Sequence, residues 1–140
     1  ARYMGKWFEI ARFENSFEKG LMNVSAVYTL NGDNTVSVVN SGVKSDGERV
    51  SVSGTAYAPD SADFSKLRVS FFRPFYGDYY ILELGDDYRW ALVGGRDKSY
   101  LWILAREPKL SEVELSQILE KARSRGYDVR RFLYVGNGRD

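Results

Sequence analysis

The polar and apolar positions of this chain alternate in short runs. From Lys66 to Phe71, Leu67, Val69 and Phe71 interleave with Lys66, Arg68 and Ser70, so one face is apolar and the other wet. In 50–57, Val50, Val52, Gly54 and Ala56 alternate with Ser51, Ser53, Thr55 and Tyr57. In 36–41, Val36, Val38 and Asn40 face one way while Ser37 and Ser41 face the other. The runs 7–13, 88–94 and 99–106 are apolar on both faces, with Phe8 and Ile10 opposing Trp7 and Ala11. Such strands need a cover on each side.

Strand-like runs fall at 7–13, 21–30, 35–42, 49–58, 65–72, 78–84, 88–94 and 99–106. Turn-forming stretches separate them, "NGDN" at 31–34 being the strongest hairpin signal. About eight strands joined by short loops predict an antiparallel meander. A helix follows. Ser111 and Glu114 make a capping box, Leu115, Ile118, Leu119 and Ala122 recur at helical spacing, and Gly126 is a natural stop. A final strand is expected over 128–135. The predicted fold is all-β: an eight-stranded antiparallel up-and-down barrel, one C-terminal helix packed on its side, and a short last strand. The whole chain, 1–140, reads as a single domain.

Composition narrows the chemistry. Aromatic residues make up 15% of the chain, which suits strands. A net charge of +1 gives no electrostatic argument for nucleic acid. With neither Cys nor His, thiol nucleophiles, imidazole bases, disulfides and the commonest zinc ligands are absent. No metal or other cofactor is expected. The first motif stands so near residue 1 that a removed leader is expected before it.

The predicted inward set is Val24, Ala26, Val38, Val52, Gly54, Ala56, Val69, Ala91 and Val93, mostly small side chains. A barrel of this size is either filled by its side chains or holds one small ligand. Small walls favour a cavity; a twisted, tightly packed solid barrel is the alternative.

Three local patterns resemble the lipocalin signatures in order and spacing: "GKW" at Gly5-Lys6-Trp7, "DDY" at Asp86-Asp87-Tyr88, and "ILAR" ending in Arg106. "YMGKWFEIARF", "VSFFRPFYGDYYIL", "YRWALVGGRDKSYLWILAR" and "GYDV" resemble the bacterial, outer-membrane lipoprotein branch and its apolipoprotein-D-like relatives. The turn departs from the usual TDY in having Asp86 first, and Gly94 stands where the family often has a cysteine. The resemblance implies a non-enzymatic carrier or scavenger of fatty acid or lysophospholipid. It also implies the cell envelope (the periplasmic side of the outer membrane) or secretion, peripheral membrane attachment through a lipidated N-terminus, and a monomer or homodimer. The fatty-acid-binding proteins also open with GxW, but "ENSFEKGLMN" is too short for the helical pair that they insert there.

Gly5, Trp7, Asp87, Tyr88 and Arg106 are read as structural. Antiparallel alternation brings Trp7 and Arg106 to one end, where a guanidinium over the indole closes the barrel floor. The mouth is then the other end, built from 14–22, 42–49, 72–78 and 94–99. From parity and family correspondence the wall residues are Tyr28, Asn40, Val69, Phe71, Tyr79, Tyr100 and Trp102. Arg73, Arg96 and Lys98 are candidates for pairing with a head group, although solvated loop charges are the ordinary case. Phe72, Phe75 and Tyr76 form either a greasy lip or plain rim packing.

Glu9 is the exception, an inward carboxylate by parity. It is either satisfied by a Tyr or Arg neighbour or a ligand-facing acid. The alternative function, an enzyme acting on a lipid or isoprenoid, would rest on Glu9 and a Tyr as acid and base.

Overall fold

In the computed structural model the described residues are 2–13, 21–59, 65–72, 75–95 and 98–134, with backbone alone at 71–72 and 75–76. Nine strands and one α-helix follow one another: β1 (Gly5–Phe13), β2 (Met22–Leu30), β3 (Val36–Val43), β4 (Arg49–Tyr57), β5 (Lys66–Phe72), β6 (Phe75–Leu84), β7 (Trp90–Gly94), β8 (Leu101–Ala105), α1 (Glu112–Ser124) and β9 (Phe132–Tyr134). Each of β1 to β7 pairs with the next, and β8 pairs back onto β1, so eight antiparallel strands close into a barrel. β9 adds to β1 outside the ring.

Several strand boundaries differ from the sequence expectation: β1 begins at Gly5 rather than residue 7, β6 at Phe75 rather than 78, and β8 spans Leu101–Ala105 rather than 99–106. The seventh strand begins at Trp90 rather than residue 88, because Asp86–Tyr88 form a single 3-10 turn with Asp87 and Tyr88 in the left-handed region. The final strand spans three residues. Asp128 caps the backbone of Arg130 and coils Val129–Arg131 into another 3-10 turn before β9 begins.

Two apolar clusters divide the molecule. One lies inside the lower barrel and includes Tyr3, Trp7, Ala26, Tyr28, Val38, Ala56, Ala91, Val93 and Leu104. The other lies outside, where Ile118 and Ala122 of α1 cover Ile10, Ala11, Leu92, Leu101 and Ile103. The strands apolar on both faces are the ones that α1 covers. Reciprocal bonds between Ser111 and Glu114 cap the helix start, and Glu114 also receives Arg89 from the floor turn at 2.8 Å.

β1 carries a bulge. Glu9 lies opposite Leu104, yet the next register partner is Ala11 opposite Ile103, followed by Arg12 opposite Trp102. The extra residue, Ile10, shifts the side-chain phase by one. Simple alternation sends Ala11 inward and Arg12 outward; the bulge reverses both. Ala11 and Phe13 join Ile10 in the outer cluster, and Arg12 turns into the barrel. β1 also changes partner along its length: it bonds β2 only over Gly5–Phe8 and β9 over Ala11–Phe13. The β1–β2 seam therefore parts towards the mouth.

Candidate functional site: the barrel interior

The closed end is built first. Gly5 has φ +103°, a left-handed conformation that a Cβ would strain, and a Cβ there would lie 3.5 Å from Arg106 Nη1. This turn folds Tyr3 back so that its carbonyl accepts from Trp7 Nε1 at 2.7 Å. The Arg106 guanidinium lies 3.8 Å from the Trp7 ring centroid and donates to the carbonyls of Lys6 and Arg2. Burial holds the Arg106 pKa below its ordinary value. Arg2 in turn covers Tyr88 at 4.6 Å and sits 3.6 Å from Asp87. All five signature residues thus meet at the floor.

Beside Trp7 lies a short chain of phenols. Tyr79 donates to the Tyr28 hydroxyl at 2.9 Å, and the Tyr3 and Tyr79 hydroxyls are 2.6 Å apart. Each hydroxyl has one proton, so Tyr3 is the donor to Tyr79. The rings also touch, with centroids 5.7–6.4 Å apart. Burial, reinforced by the neighbouring phenols, raises the Tyr3 and Tyr79 pKa values well above the ordinary tyrosine value. The base of the barrel is therefore polar, neutral and rigid.

The walls open above this base. Register places Trp7, Ala26, Asn40 and Val52 in one inner row, and Tyr28, Val38 and Gly54 in the next. Ala26, Val38 and Tyr28 are buried, Asn40 is half-buried, and Val52 is 42% exposed although it faces inward. This exposure belongs to the mouth end, where the β4–β5 ladder, which runs over Thr55–Tyr57, does not reach Val52. Val69 and Trp102, half-buried, line the same space. Tyr100 is 36% exposed and stacks on Trp102 at 5.9 Å with ring planes 6° apart.

Glu9 and Arg12 both face inward, across from Leu104 and Trp102. Arg12 Nη1 donates to Glu9 Oε2 at 2.9 Å, and Nη2 donates to the Leu21 carbonyl at 3.0 Å. Both side chains are buried, so the carboxylate is satisfied by an Arg neighbour. The second donor bridges the parted β1–β2 seam.

The structure thus brings Tyr28, Tyr79, Asn40, Val69 and Trp102 to one interior, with Tyr100 at its rim. Phe71 and Phe75 lie in β5 and β6, described as backbone only, as are Phe72 and Tyr76; Arg73 and Arg96 lie outside the described residues. Lys98 is exposed at the mouth end, with its ammonium 5.1 Å from the Tyr127 ring on the helix side of the wall. Among the described residues, no group of three or more acidic side chains could hold a metal ion.

A calyx with this floor is matched by comparison with known proteins. The profile of the lipocalin-like domain matches residues 1–137. The chain belongs to the lipocalin family. It is 44% identical over 135 residues to the outer membrane lipoprotein Blc of Escherichia coli strain K12, covering 96% of this chain and 76% of that protein. Temperature-induced lipocalin-1 of Arabidopsis thaliana is 42% identical over 137 residues, covering 91% and 73%. Among solved structures, apocrustacyanin C1 superposes with a TM-score of 0.80 at 19% identity, covering 99% of this chain and 79% of that one. Insecticyanin from the tobacco hornworm gives 0.76 at 23% identity, covering 96% and 78%. These last two show the fold alone.

Lipocalins bind small hydrophobic ligands, and the interior of this lipocalin has the matching apolar walls. Two of its interior residues escape a reading by alternation. Tyr3 precedes the first strand and enters the barrel only through the Gly5 turn. Arg12 enters only through the bulge, and its one sequence signal is the buried carboxylate three residues before it, which needs a cation.

Proposed function

We propose that this lipocalin carries or scavenges a single-chain lipid, a fatty acid or lysophospholipid, without turning it over. The observation that carries the reading is the inward Val52, 42% exposed on the mouth side of the tyrosine base, which supports an open apolar interior there. Each buried methylene contributes about 0.8 kcal/mol, so a narrow apolar tube with a polar end suits an acyl chain. Asn40, Val69, Phe71 and Trp102 form the wall in this reading, Tyr28 and Tyr79 the base, and Tyr100 the rim. Binding rather than catalysis is favoured because Glu9, the one interior acid proposed as a base, is already bound by Arg12. The relatives named outer membrane lipoprotein support placement in the cell envelope, on the periplasmic side of the outer membrane.

The test is native mass spectrometry of lipid retained through purification, followed by fluorescence titration with a long-chain fatty acid and a lysophospholipid. A bound single-chain lipid and a saturable titration are expected. No retained lipid and no response to either class would reject the reading.

A further inference from the structure

The charge of the chain is unevenly placed. Residues 121–131 hold five cations, Lys121, Arg123, Arg125, Arg130 and Arg131, against one carboxylate, Asp128, for a net charge of +4. The remainder of the chain is therefore net −3, since the whole is +1. Part of this has a local cause: Glu112 and Glu114 at the helix start and Lys121 and Arg123 in its last turn complement the helix dipole. That argument does not reach Arg130, Arg131 or Lys98, which come from other elements.

These elements converge beside the mouth. Arg131 donates to the Lys98 carbonyl at 3.4 Å and covers Phe13, the last residue of β1, at 4.4 Å. A Cβ on Gly126, just past α1, would lie 3.1 Å from Lys98 Cε. The helix end, Lys98 and the 129–131 turn thus form one basic shoulder at the open end. Arg123, Arg125 and Arg130 have carboxylate partners in Glu120, Glu83 and Asp128. Lys98, Lys121 and Arg131 make no close ion pair among the described residues, although Asp128 feels the charge of Arg131, and Arg130 is 88% exposed despite its partner. The β3–β4 turn at the same end is balanced, with Lys44, Asp46, Glu48 and Arg49. Next to Lys98, Tyr100 presents a part-exposed ring, the side chain that settles at a lipid–water boundary.

The geometry points to a membrane-docking face: Lys98, Lys121, Arg130 and Arg131, with Tyr100, seat the open end of the barrel on a bilayer that contains anionic phospholipid. An anionic surface attracts each nearby cation over about a Debye length, roughly 10 Å at 0.1 M salt, which a shoulder at one end reaches as a group. Docked in this way, the mouth exchanges a lipid with the bilayer without exposing it to water. That last consequence rests on the lipid-carrier reading; the docking itself does not.

Flotation with phosphatidylcholine vesicles, with and without phosphatidylglycerol, tests it. The protein is expected to float with the anionic vesicles only, less so as salt rises. Each neutralised cation should weaken binding about fivefold, so Lys98→Gln with Arg130→Gln should weaken it roughly 25-fold. Lys109→Gln, a neutralisation at the floor end, should leave it unchanged. Lys121→Gln, an exposed helix site, repeats the test where the double variant melts early. Equal losses at floor and shoulder would overturn the proposal, as would equal binding to both vesicle types or no binding to either. Fatty-acid titration without vesicles reads the cargo site separately, and Lys121→Gln and Arg130→Gln should leave that affinity unchanged.

Discussion

Arg12 Nη1 lies 2.9 Å from Glu9 Oε2, and the pair is sealed inside the barrel wall. Three residues apart on a regular strand, these side chains would face opposite ways. They meet because Ile10 is bulged out. The second arm of Arg12 then holds the Leu21 carbonyl where β1 and β2 no longer pair. The pair acts as a pin across a parted seam.

Removing one partner strands the other as a buried charge. Glu9→Gln and Arg12→Met should each lower stability by ~3–5 kcal/mol, and the double variant should cost less than their sum. Denaturant midpoints of all four proteins give the coupling. Strict additivity would mean that the two groups are independent.

At the floor, Trp7→Ala should cost ~3–5 kcal/mol as a core truncation. Arg106→Ala should cost less, because it removes a surface-facing lid with roughly 0.5–2 kcal/mol of cation–π contact and two bonds to carbonyls. Ligand affinity should stay within a few-fold in both, since both residues belong to the closed end of the barrel. Unchanged midpoints would refute a sealing role.

Of the three tryptophans, Trp7 lies under Arg106 and Trp90 in the outer cluster, which leaves Trp102 beside the hollow. Lipid binding should therefore change the Trp102 emission, and Trp102→Phe should abolish most of the change. A full response in that variant would move the ligand to another place.

The phenol chain predicts an alkaline limit. Tyr3 and Tyr79 have raised pKa values in the folded chain, chiefly through burial. Unfolded, they release their protons near pH 10. Above that point the unfolded state binds fewer protons than the folded one, so stability falls as pH rises; below it these groups have no pH effect. Melting temperature should be flat to about pH 9 and then drop. Tyr3→Phe and Tyr79→Phe should each soften the drop. An equally steep loss in the double Phe variant would assign it to other groups.

Much of this was legible because barrel strands declare themselves by parity. Leu67, Val69, Val36, Val38 and Ala56 face as alternation predicts, and the doubly apolar strands correctly foretold a covering helix. The floor was legible from Gly5, Trp7 and Arg106 once strand direction was known. The failures share one cause. Parity carries no information about a residue that breaks it, so the Ile10 bulge concealed that Arg12 faces inward and Ala11 outward. Tyr88 likewise looks like strand entry, yet the left-handed backbone at Asp87 and Tyr88 delays β7 until Trp90.

The bulge also sets what kinds of change the first strand tolerates. It acts as a frame shift written in space: every residue after Ile10 owes its side of the wall to one surplus position. Deleting that position would leave Ala11 opposite Ile103 and Arg12 opposite Trp102 on a regular strand, each still on its present side of the wall. Loss of the surplus residue therefore keeps inside and outside, whereas straightening the bulge at full length would exchange them for Ala11, Arg12 and Phe13.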